Sequence, residues 1–169
     1  LANSSMVDGL WLKKDLKGEE LEGKKVGIVG YGHIGKRVAK LLTVFGSKVD
    51  YFSRSQKTNS LKYIFKNSDI ITIHLPLTNE TKNFVNNKLL SLMKPNSFFI
   101  NTSRGGVVEE KALLKVLQEK KIAGAALDVF WQEPLPPTSP WRKLPNVILT
   151  PHIGASTREA LKKGTKTVI

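Results

Sequence analysis

The sequence predicts an α/β fold, a doubly wound parallel sheet, and two observations carry that prediction. Short apolar runs alternate with stretches of helical periodicity, and the first run leads directly into Gly30-Tyr31-Gly32-His33-Ile34-Gly35. Such alternation implies parallel neighbours, because parallel strands need crossover connections, and the helices that supply them cover both faces.

Each element follows from its own residues. Residues 26–30 read as a strand, and residues 35–45 as a helix in which Val38, Ala39, Leu41 and Leu42 recur at helical spacing. Further apolar runs at 49–52, 70–75, 98–101, 123–129 and 147–150 read as short, fully buried strands. Helical patterns separate them at 61–67, 88–93 and 110–119. A last helix is expected from Thr157 onward, with Ser156 and Glu159 as a capping box. In the glycine pattern, Gly30 permits a sharp turn, Gly32 removes a side chain where a pyrophosphate must approach, and Gly35 lets helix and strand pack closely. The helix start then offers backbone amides, those of His33 and Ile34 among them, to phosphates. The plainer alternative is that the glycines only close a tight strand-to-helix turn.

Composition bounds the function classes. The 169 residues suit one domain with a proper core. No repeat, low-complexity stretch or signal peptide is visible, and no apolar run approaches the roughly 18 residues of a membrane span. There is no cysteine, hence no disulfide framework, which fits a cytoplasmic protein. The formal charge of +13 invites a nucleic-acid reading. The lysines are scattered, however, without the interleaved aromatics of a single-strand binder, so a solvated lysine-rich surface is the better reading. Its field still favours an anionic cofactor and anionic substrates. No metal site and no membrane partner are expected.

In open α/β sheets the ligand lies beyond the carboxyl ends of the strands. There the chain carries Ser53-Arg54-Ser55, then His74-Leu75-Pro76, Asn101-Thr102-Ser103-Arg104, the segment from Asp128 to Glu133, and Thr150-Pro151-His152 with Gly154. An arginine, a carboxylate and a histidine thus converge on one edge. Taken singly, each has a plain explanation. Arg104 beside two glycines could pair with a surface acid, His152 could cap a helix, and Glu133-Pro134 could be a simple turn. Their joint placement favours a site. Trp131 and Trp141 flank it or pack over its loop, or else belong to an interface.

Five segments in register resemble the D-isomer-specific 2-hydroxyacid dehydrogenases, a family that includes glycerate, glyoxylate and hydroxypyruvate, and D-lactate dehydrogenases. They are residues 21–24, 74–81, 101–108, 126–134 and 150–157. The resemblance implies a Rossmann NAD(P)-binding domain with Arg104, Glu133 and His152 in the catalytic positions and Asp128 at the nicotinamide carboxamide. His74, Leu75, Pro76, Thr81, Thr102, Ser103 and Gly154 would line the cofactor, with Arg104 and His152 also touching it and His74 packing rather than reacting. It further implies an inserted domain: residues 1–23 a leading arm, 24–154 the core, and 155–169 the start of a helix returning to a substrate domain. Both ends look cut on that reading. A homodimer formed through this domain is implied too, with Trp11 and Leu12 either on an arm across the interface or on a tether packed against their own domain.

The chemistry fits the residue types. Hydride exchange at C2 of a 2-oxo or 2-hydroxy acid requires a proton to move on or off the oxygen of that carbon, which suits a histidine. Glu133 would fix the tautomer of His152, and Arg104 offers a planar charged fork for the substrate carboxylate. For the cofactor, NADP is favoured over NAD. An acid normally accepts from the ribose hydroxyls at the end of the second strand, and Ser53-Arg54-Ser55 stands there instead, with Lys57 nearby. Asp50 precedes Ser53 by three residues, about 10 Å of strand, which would leave it buried in the sheet. Reduction of glyoxylate, hydroxypyruvate or a similar acid is therefore expected, with the isolated chain binding cofactor but not turning over. The alternative is a nucleotide-sensing, corepressor-like binding module that keeps the site and works through protein contacts.

Overall fold

The computed structural model describes residues 2–160 and 162. Six strands form one parallel sheet: β1 (Lys25–Val29), β2 (Lys48–Phe52), β3 (Ile70–Ile73), β4 (Phe98–Asn101), β5 (Gly124–Leu127) and β6 (Val147–Leu149), in spatial order β2-β1-β3-β4-β5-β6. The helices are α1 (Ala2–Val7), α2 (His33–Val44), α3 (Leu61–Asn67), α4 (Asn87–Leu90) and α5 (Glu110–Gln118), with 3-10 turns at Gly105–Val107 and Pro140–Lys143.

Because β2 lies on one side of β1 and β3 on the other, the chain reverses its direction across the sheet between them. Right-handed crossovers then place α2 on one face and α3 to α5 on the opposite one. Packing agrees: a Cβ on Gly27 would strike Ile64 of α3, whereas the next residue, Ile28, faces Gly35 of α2. The main core lies on the three-helix side, where Val29, Ile71, Ile73, Phe99 and Leu127 meet Phe65, Leu90, Leu113, Leu117 and Trp141. No helix among the described residues is long and apolar enough to cross a membrane.

Register fixes the functional edge. Phe52, Val29, Ile73, Asn101, Leu127 and Leu149 pair neighbour to neighbour in a single row across the sheet. The residues that follow them, Ser53, Gly30, His74, Thr102, Asp128 and Thr150, therefore emerge side by side along one edge.

Several expectations need correction. Two strands expected to be fully buried are not: β2 and β6 are the sheet edges, so β2 is only half-buried and Ile148 of β6 is 69% exposed. Asp50 is accordingly half-buried, not sealed in the sheet, and its carboxylate accepts from Thr58 Oγ1 at 2.8 Å and Asn59 Nδ2 at 2.7 Å. The helix expected over 88–93 is a short one, because Leu92 and Met93 donate to carbonyls three residues back and tighten the chain into a turn before Pro95. Helix α1 was not foreseen. Trp11 is 75% exposed, so it does not pack against its own domain. At the far end, Thr157 Oγ1 accepts from the Ala160 amide at 3.0 Å, which moves the helix cap one residue beyond Ser156. Most of the helix expected from Thr157 onward lies outside the described residues.

Candidate functional site

The glycine turn is constrained at its two ends and open in its middle. Gly30 has φ +100°, and a Cβ there would lie 2.4 Å from the His74 carbonyl oxygen; a Cβ on Gly35 would lie 2.1 Å from the Gly30 carbonyl oxygen. Around Gly32, by contrast, nothing lies within 4 Å of where a Cβ would be. Helix α2 starts just after Gly32 with no side chain capping it. An open backbone at a helix N-terminus that keeps its amides unclaimed by side chains suits a pyrophosphate. His33 and Ile34 are both exposed in this first turn. Beside it, Tyr31 stacks on Tyr51 of β2 with ring centroids 3.6 Å apart, and the Lys36 ammonium stands 5.9 Å from the Tyr31 ring.

Beyond β2 the chain makes a tight turn. Ser53 Oγ donates to the Gln56 carbonyl and accepts from the Gln56 amide, while Ser55 is exposed. Arg54 reaches across to Glu80, Nη2 to Oε2 at 2.6 Å. Both line a cavity of about 370 Å³ with Phe52, Ser53, Leu75, Thr81 and Phe84. Thr81 is 6% exposed, and its hydroxyl donates to the Pro76 carbonyl at 2.6 Å and accepts from the Thr78 amide, so it also pins the loop after β3. His74 is half-buried with Nε2 3.0 Å from Thr72 Oγ1, and burial pushes its pKa down.

At the other end of the edge, three loops meet. Asn101, fully buried, donates from Nδ2 to the Arg104 carbonyl at 3.0 Å and accepts at Oδ1 from the Ser103 amide and hydroxyl. The Arg104 guanidinium donates back to the Ser103 carbonyl, and Thr102 is exposed. Gly105 is pressed so close to the next loop that a Cβ would lie 2.2 Å from the Phe130 carbonyl carbon. In that loop the Phe130 amide donates to Glu133 Oε1 at 2.8 Å, and Glu133 Oε2 sits 2.7 Å from His152 Nδ1. These bonds, led by the one to His152, hold the Glu133 carboxyl below its usual range, and the charge of Arg104 acts in the same direction. His152 does not cap a helix; its φ of +54° turns it out beside an open cavity of about 700 Å³ lined by Phe130, Glu133, Pro134, Leu149 and Pro151, among others.

Asp128 is gripped by the loop after β6. Its carboxylate, 6% exposed, accepts from Thr150 Oγ1 at 2.6 Å and from the amides of Ile153 and Gly154 at 2.9 Å each. Burial pushes its pKa up, and those donors with the charge of His152 outweigh it, so the net shift is down. Asp128 and Gly154 thus brace the loop that carries His152. Trp131 and Trp141 stack at 5.3 Å, the second fully buried; their indole N–H groups donate to the Val108 carbonyl and to Glu110. The supporting contacts of Asn101, Glu80 and Thr150 were not expected from the sequence. A polar residue closing an otherwise apolar strand, Phe98-Phe99-Ile100-Asn101, was the signal available for the first.

A doubly wound parallel sheet with a glycine turn at its switch point and an open helix start defines a nucleotide-binding domain of the Rossmann type. The chain belongs to the D-isomer specific 2-hydroxyacid dehydrogenase family, whose NAD binding domain matches residues 1–154. It is 44% identical over 167 residues to a glyoxylate reductase of Thermofilum pendens, covering 92% of this chain and 49% of that protein. The chain spans about half the length of the curated relatives it matches. Among solved structures, an acyclic imino acid reductase in complex with NADPH and D-Arg superposes with a TM-score of 0.91 at 33% identity, over 99% of this chain and 56% of that one. The NAD-dependent formate dehydrogenase of Staphylococcus aureus, in complex with NAD, gives 0.87 at 34% identity, over 99% and 54%. This is an NAD(P)-binding domain, and relatives of the fold take either nucleotide.

Proposed function

We propose that this domain is the nucleotide-binding part of an oxidoreductase that interconverts a 2-oxo acid and the corresponding D-2-hydroxy acid, with a homodimer and a cytoplasmic location as its setting. In the same reading, residues 1–23 lead in, 24–154 are the core, and 155–169 begin the return to a substrate domain. The observation that carries it is the His152–Glu133 pair at 2.7 Å.

The geometry supports an arrangement of the protons. Glu133 has its pKa pushed down, so at neutral pH it is a carboxylate and can only accept. His152 Nδ1 must then carry the hydrogen, which leaves Nε2 as the nitrogen that exchanges a proton with the oxygen on C2. A bound nicotinamide would give hydride to that carbon in reduction and take it in oxidation. Arg104 binds the substrate carboxylate through its fork and draws charge from the carbonyl, held there by Asn101. Asp128 positions His152 by fixing the backbone on its carboxyl side. The cofactor's phosphates would sit on the amides of Gly32, His33, Ile34 and Gly35, with the adenosine near Leu75, Pro76 and Thr81 and the nicotinamide near His74, Thr102, Ser103 and Gly154.

NADP is the favoured nucleotide in this proposal. No acid closes β2, Asp50 is occupied by Thr58 and Asn59, and Ser53 and Arg54 line the cavity where a 2′-phosphate would lie, with Ser55 and Lys57 in the same turn segment. The name of the Thermofilum relative supports glyoxylate or a similar small 2-oxo acid, hydroxypyruvate included, as substrate. With the cavity beside His152 open to solvent, the domain alone would bind cofactor without turnover. The test is His152→Ala in the intact enzyme: NADPH-dependent glyoxylate reduction is expected to fall by about 10²- to 10⁴-fold. A fall of less than about tenfold would remove the acid/base role.

A further inference from the structure

The cavity beyond β2 holds a charge that the NADP proposal does not use. Glu80, in the loop after β3, pairs with Arg54 at 2.6 Å although the two are 26 residues apart in sequence and belong to different strand-end loops. Both backbones are pinned next to the pair. Ser53 closes its turn onto Gln56, and buried Thr81 ties its loop to Pro76 and Thr78. Neither carboxylate nor guanidinium can therefore leave the mouth of this cavity except by swinging its own side chain.

We propose that Glu80 is a cofactor-selectivity residue: it supplies from the neighbouring loop the acid that the end of β2 lacks, and so restrains the preference for the phosphorylated nucleotide. The inference rests on the nucleotide-binding reading of this cavity. A 2′-phosphate that takes the Arg54 fork must share it with Glu80, whose contact is the single Nη2–Oε2 one, or displace it, and either way it lies within a few ångströms of a like charge. An unphosphorylated ribose breaks nothing, because its hydroxyls can donate to the carboxylate while the pair stays closed. The pair is exposed, with side chains 76% and 69% accessible, so the effect is a graded bias rather than an all-or-none gate.

Calorimetric titration of wild type, Glu80→Gln and Glu80→Asp with NADPH and with NADH tests this. Glu80→Gln is expected to tighten NADPH by about three- to tenfold and to leave NADH within about twofold, with the gap narrowing as salt is added. Glu80→Asp, which keeps the charge, should stay near wild type. A Glu80→Gln protein that binds both nucleotides with an unchanged NADPH to NADH ratio overturns the role of Glu80 alone. If wild type binds neither nucleotide, the nucleotide-binding reading fails, and this inference with it.

Discussion

The two ends of the functional edge are built by opposite means. Around β1 the site is made of backbone: Gly30 and Gly35 are there because a methyl group would collide with carbonyl oxygens, while the space above Gly32 is open. Around β4, β5 and β6 it is made of side chains, and each exposed chemical group is held by a buried polar one. Asn101 grips the Arg104 loop, and Asp128 grips the His152 loop. The backbone site tolerates no Cβ at Gly30 or Gly35; the side-chain site tolerates changes of shape but not the loss of its anchoring hydrogen bonds.

Substitutions can break that contrast, beginning where the effect is largest. Gly30→Ala and Gly35→Ala would each force a Cβ to within 2.4 Å or less of a carbonyl oxygen. Each is expected to cost on the order of 3 kcal/mol or more in chemical denaturation; a loss below about 1 kcal/mol would mean the turn is not backbone-limited. Asp128→Asn comes next. One of its two atoms would become an N–H₂ facing either the Ile153 or the Gly154 amide, leaving a buried donor without an acceptor, for an expected loss of about 2 kcal/mol.

Acid sharpens the same contrast. Asp69, Asp128 and Glu133 all have folded pKa values below their usual ones. For Asp69 burial pushes up, but Lys94 and the Lys25 amide outweigh it. The unfolded chain therefore binds more protons as pH falls, so their stabilisation is complete above the usual carboxylate range near pH 4 and is lost below it. Melting temperature should drop across that window, and Asp128→Asn should flatten the drop. An unchanged acid slope in that variant would show that the carboxylate is not the anchor. Gly32→Ala is expected to do least to the fold, within about 1 kcal/mol, because no atom opposes the added methyl. It should nonetheless weaken NADPH binding by about tenfold, since the methyl enters the space proposed for the pyrophosphate.

This division also explains what could be read from the chain in advance. All six strands and the glycine turn were legible, because an apolar run is short of alternatives and Gly-x-Gly-x-x-Gly between strand and helix encodes a steric requirement directly. Arg104, Glu133 and His152 were legible as a set only through strand ends and family resemblance. What lay between them was not: Asn101 and Thr150 look like ordinary polar residues until the register brings them beside Arg104 and Asp128. Glu80 was illegible for a related reason, since its partner Arg54 is supplied by another strand. Burial at the edges failed too: β6 is as apolar as an inner strand, Lys48 and Asp50 in β2 were given too little weight, and only the order of the sheet tells which strand is last.

The account requires that both ends of the edge serve one ligand. Amide NMR of the ¹⁵N-labelled domain during titration with NADPH tests this most directly. Shifts should appear together at Gly32 to Gly35, at Ser53 to Ser55, and at Thr102, Ser103, Ile153 and Gly154. Shifts confined to one of these groups, or centred on the opposite edge near Leu21 and Asn96, would contradict it.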